Sequence, residues 1–75
     1  MFSKKIFAKR LSFLITKNKL SKQAVANAIN VSRPAVSQFA NGENLPSVEK
    51  LIALADFFDV SLDYLVGRSD DPRRH

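Results

Sequence analysis

The chain contains no cysteine, and its one histidine, His75, is the last residue. That excludes a disulfide framework and a thiol nucleophile, and leaves no recognisable metal site or cofactor ligand set. Long apolar runs are missing too: none approaches the roughly 18 residues of a membrane span. Met1 to Arg10 already carries Lys4, Lys5, Lys9 and Arg10 and reads as neither signal peptide nor membrane anchor. A cytoplasmic setting fits. Glycine is scarce, with only Gly42 and Gly67. The most informative absence is regional. Residues 1–42 contain eight basic residues and no Asp or Glu, a formal +8, whereas residues 43–75 hold four basic residues against seven acids, a formal −3. A charge split of this kind puts positive potential on one side of a small domain, as a polyanion partner would require.

With 75 residues, 45% of them hydrophobic, the chain has material for one domain with a modest core, near the lower size at which an unstapled chain folds alone. The apolar spacing predicts five helices and no strand. Phe7, Leu11 and Leu14 recur at i, i+4 and i+7, one face of a helix over roughly 3–17 that Asn18 and Lys19 end. Ser21 is a good N-cap for a second helix with Val25, Ala26 and Ile29 inside, and Asn30 is suited to a left-handed stop. Val31 points inward in the turn. Ser32 then caps a third helix with Val36 and Phe39 inside and Pro34 in its first turn, where a missing N–H costs little. Ser47 caps a fourth, with Glu49 favouring its dipole and Val48, Leu51, Leu54, Ala55 and Phe58 expected inside. Val60 plugs the next turn, and Ser61 caps a short fifth helix closed by Gly67. Both glycines fall just past helix ends, where a residue without Cβ is most useful. The organisation expected is a domain over 1–67 and a polar tail over 68–75.

The run of pairs Leu20-Ser21, Val25-Ala26, Val31-Ser32, Val36-Ser37, Asn41-Gly42, Pro46-Ser47, Leu54-Ala55 and Val60-Ser61 resembles the Cro/C1-type (lambda-repressor-like) helix-turn-helix family. The resemblance covers nearly the whole domain. It implies an all-α, five-helix DNA-binding fold with the helix-turn-helix at helices two and three, the third lying in the major groove of double-stranded DNA and the second bridging the backbone.

The residues support the same assignment. A third helix that buries Val36 and Phe39 must turn Arg33, Pro34, Ser37, Gln38 and Asn41 outward. Arg33 can bind guanine O6 and N7 with two bonds, Gln38 can pair with adenine N6 and N7, Ser37 suits either, and Pro34 can offer only an apolar contact. These four are the expected base readers. Lys22, at the start of helix two, is expected on phosphate, with Asn41, Gly42 and Asn44 after helix three. Family members often have glutamine at the position of Lys22, and lysine substitutes a point charge for that amide. They also often pair an arginine late in helix one with a glutamate late in the recognition helix. Here those positions are Ile15 and Ala40, as expected when packing replaces an ion pair without leaving one charge alone.

Phe2, Ile6 and Phe13 form a second stripe, roughly 120° from the core line of helix one. It either packs under the chain termini or forms a protein-contact surface. The family commonly dimerises through its last helices, which places the expected homodimer contact on Phe57, Leu62 and Tyr64. The leading reading is a transcriptional regulator, a repressor of phage or mobile-element type, with an antitoxin or restriction-modification controller as a variant. A protein-interaction module of the same fold is the alternative from another class, distinguished by a weak salt dependence. No set of acids, histidine or nucleophile converges as an enzyme would need.

Overall fold

The computed structural model describes residues 3–74 and consists of five α-helices: α1 (Lys4–Lys17), α2 (Lys22–Ile29), α3 (Arg33–Ala40), α4 (Val48–Phe58) and α5 (Leu62–Leu65). Each begins in the same way. Ser3, Ser21, Ser32, Ser47 and Ser61 stand in extended backbone, and each hydroxyl accepts a hydrogen bond from the N–H three residues on. A side-chain oxygen thereby replaces one of the partners that the first turn of a helix lacks.

The helix ends are equally uniform. Lys19, Asn30, Gly42, Asp59 and Gly67 all have positive φ, and the next N–H reaches back five residues: Leu20 to Ile15 O, Val31 to Ala26 O, Glu43 to Gln38 O, Val60 to Ala55 O and Arg68 to Asp63 O. This is the Schellman closure, which satisfies end carbonyls and turns an apolar residue back onto the helix. Leu20, Val31 and Val60 are those residues, and all three pack on the core. Gly67 has a further reason to lack a side chain, because a Cβ there would run into Cγ2 of Ile6.

Phe7, Leu11, Val25, Val36, Leu54 and Leu65 are fully buried, and every helix contributes to the same core. Helix α3 packs on α1 and α2, α2 on α4, and α5 on α1 and α4. Ile15 is buried, as expected, on the side of α1 facing α3, where Ser12 Oγ also donates to Ala40 O. Val48 is not inside: it is 69% exposed. Its helical phase is right, but Cα–Cβ bonds tilt toward the helix N-terminus, so a side chain at the first position projects past the end with nothing above it.

Residues 68–74 form no helix but lie back against the domain as a strap. Ser61 N donates to Pro72 O at 2.9 Å, and Arg74 reaches Ala55 O at 3.2 Å and Asp56 at 2.6 Å, a cation at the negative end of α4. That hydrogen bond to Asp56 raises the pKa of Arg74, as Asp71 does for Arg73. The strap is held from the far side by Arg10, whose Nη1 donates to Tyr64 O and Ser69 O, each at 2.9 Å, and whose Nη2 meets Asp70.

Candidate nucleic-acid interface

Helix α3 carries Ser32 as its cap and Pro34 in its first turn, so its start is fixed by local signals. Burial of Val36 and Phe39 then turns Arg33, Pro34 and Gln38 fully outward, with Ser37 half-buried beside them. The four expected base readers therefore share one face. Among the described residues the Arg33 guanidinium has no hydrogen bond and no ion pair, so its five donors remain open.

Lys22 occupies the first position of α2, half-buried, with the Ser21 hydroxyl engaged by Ala24 N. The turn to α3 runs through Asn30 at φ 60° and is braced from outside by Lys50 Nζ, which donates to Ile29 O at 2.8 Å. A cation from α4 thus satisfies the carbonyl end of α2 and ties the helix-turn-helix to its support.

The loop after α3 is more self-contained than its sequence suggests. Asn41 N donates to Ser37 O, Gly42 N to Phe39 O, and both Glu43 N and Asn44 N to Gln38 O. The backbone donors of residues 41–44 are therefore used internally, and their side chains are what they have left to reach a ligand. Asn41 Nδ2 faces Glu43 Oε2 at 3.3 Å, which sets a carboxylate beside that asparagine. Asn44 Nδ2 donates to Gln38 Oε1 at 2.6 Å.

The basic residues of the half over 1–42 are nearly free of acidic partners. Among the described residues no carboxylate pairs with Lys4, Lys5, Lys9, Lys17, Lys19, Lys22 or Arg33, and the basic residue of that half that does pair is Arg10, with Asp70. No group of His, Cys, Asp and Glu among the described residues could hold a metal ion, and no helix is long and apolar enough to cross a membrane.

Of the expected dimer residues, Phe57 and Leu62 are exposed at 40% and 37%, but Tyr64 is buried at 9%. Its ring lies under the Arg10 guanidinium, 4.2 Å from centroid to Cζ, so it belongs to the core and strap anchor instead of to a free surface. In the second stripe, Ile6 packs against Gly67, and Phe13, 53% exposed, lines a groove with Phe58, Val60 and Pro72 beside the strap. Phe2 lies outside the described residues.

Arg10 and Lys50 escaped sequence reasoning because their partners are remote, 54 to 60 residues away for Arg10 and 21 for Lys50. No local pattern marks either. The Gln38 to Asn44 pair spans six residues across a helix end, and only the left-handed turn at Gly42 brings the two together.

Comparison with known proteins agrees with this architecture. The helix-turn-helix family model matches residues 12–65, and the chain belongs to the Cro/C1-type helix-turn-helix family of transcriptional regulators. Over 67 residues, 89% of this chain, it is 31% identical to the uncharacterized HTH-type transcriptional regulator YobD of Bacillus subtilis. Over 44 residues, 59% of this chain, it is 37% identical to RstR, the cryptic phage CTXphi transcriptional repressor of Vibrio cholerae. The chain spans 60% of the length of YobD and 39% of that of RstR. The solution structure of the DNA-binding domain of the P22 C2 repressor superposes with a TM-score of 0.76 at 32% identity, covering 80% of this chain and 79% of that one.

Proposed function

We propose that the protein is a sequence-specific DNA-binding transcriptional regulator, a cytoplasmic repressor of phage or mobile-element type that binds a two-fold operator as a homodimer. The observation that carries this reading is the outward face of α3, with Arg33, Ser37 and Gln38 together, in a half of the molecule whose cations, among the described residues, pair with no acid except through Arg10. Such a face offers hydrogen bonds to base edges, and the unpaired cations supply the attraction to phosphates. Lys22 is the leading phosphate contact. Asn41 and Gly42 contribute less than their position suggests, because the loop's N–H groups are already bonded and Glu43 opposes an anion.

The repressor nature of RstR and of the P22 C2 protein supports the direction of regulation. A domain this small reads few base pairs per copy, so useful specificity calls for two copies on half-sites about 34 Å apart. Phe57 and Leu62 are the exposed apolar residues of the expected contact. Selection from a random duplex pool tests the reading: a recovered site with two-fold symmetry and a steep fall in affinity with salt are expected. Failure to enrich any sequence, or an affinity indifferent to salt, would overturn it. On the recovered site Phe57→Asp should remove cooperativity while sparing a single half-site; unchanged cooperativity would move the interface elsewhere.

A further inference from the structure

Resting on the reading of Gln38 as a base reader, we infer that Asn44 is a positioning residue for specificity, acting through the Gln38 amide instead of on phosphate. A glutamine amide carries an acceptor and a donor on one edge, and adenine presents N6–H and N7 in the matching order, whereas guanine presents two acceptors. An amide free to turn about its last torsion can offer either order. Here Asn44 Nδ2 donates to Gln38 Oε1 at 2.6 Å, occupying one of the two lone pairs of that oxygen. The second lone pair of Oε1 and both hydrogens of Nε2 stay open, so the amide is held with its acceptor on the Asn44 side and its donor on the other.

The hold is built into the backbone. Gly42 takes φ 77°, which folds the loop back so that Glu43 N and Asn44 N both donate to Gln38 O, at 2.9 and 3.4 Å. Residue 44 is thereby fixed against the residue whose side chain it orients. Ordering a polar group before binding lowers the entropy lost in the complex and penalises a base that needs the opposite orientation.

The test is a base-by-base substitution profile on the duplex recovered by selection, measured for the wild type, Asn44→Ala, Gln38→Ala and the double variant. Both residues are exposed, and thermal melts check that each variant folds. Asn44→Ala should reduce discrimination about two- to tenfold, the scale of one neutral hydrogen bond, at the base pair that Gln38→Ala flattens and at no other. In the Gln38→Ala background the same change should have no effect on the profile. A uniform loss across all sequences, a change at a different base pair, an unaltered profile, or full additivity with Gln38→Ala would each overturn the role of Asn44 while leaving DNA reading intact. A wild-type protein without any base preference would overturn that reading and this inference with it.

Discussion

The two halves of the chain treat charge in opposite ways. Residues 1–42 contain eight basic residues and no acid, and among the described residues all but Arg10 lack an acidic partner; the half from Glu43 onward pairs two of its three arginines with its own carboxylates, Arg73 with Asp71 and Arg74 with Asp56 and Asp59. Surface pairs of this kind contribute little to stability. In each pair the charges cancel locally within the acidic half, whereas the cations of the basic half other than Arg10 keep theirs with no acidic partner among the described residues. The halves meet in one core, and two cations reach across between remote elements: Arg10 from the basic half to the strap, and Lys50 from the acidic half to the end of α2. In both crossings a cation satisfies backbone carbonyls, so two charges counted by composition as surface potential act in the fold.

The core that joins the halves should be the most sensitive point. Ile15→Arg buries a guanidinium opposite Ala40, which offers no carboxylate, and should lower stability by about 3 to 5 kcal/mol in chemical or thermal melts. Adding Ala40→Glu should recover part of the loss. A neutral Ile15→Arg would mean that this position accepts charge and that the paired apolar replacement is not structural.

Arg10→Ala removes a crossing and should cost about 2 kcal/mol, since hydrogen bonds from a charged donor to Tyr64 O and Ser69 O are lost together with the stack on Tyr64. Hydrogen exchange at Ser61 N, which is bonded to Pro72 O in the strap, should quicken. The salt slope of DNA binding should stay the same although a positive charge is gone. Lys22→Ala removes the same charge from the other kind of site. It should leave stability nearly unchanged, weaken binding to all sequences and reduce the salt slope by about one unit. If the two variants behaved alike, the division between paired and unpaired charge would not describe the protein.

What could be read in advance follows the same line between local and remote. Serine caps, left-handed stops at Asn30, Gly42 and Gly67, and the phases of Phe7, Leu11, Val36 and Phe39 are settled within a few residues of chain, so sequence spacing locates them. The outward face of α3 follows from that phase. The burial of Tyr64 and the course of the strap are not legible locally, because Arg10 determines their surroundings from another helix. The exposure of Val48 is not legible either, because periodicity carries no information on where a helix stops being covered. Lys19 and Asp59 occupy left-handed positions with no glycine or asparagine to announce them; the Schellman closures around them hold the conformation.

The claim on which the account turns is that α3 reads bases through its outward face. Titrating wild type and Gln38→Ala against the selected duplex and against a random duplex of equal length, at one fixed salt concentration, tests it directly. A loss of about 1 to 3 kcal/mol on the selected duplex with binding to the random one nearly unchanged is the predicted result. Equal losses on both duplexes would contradict it.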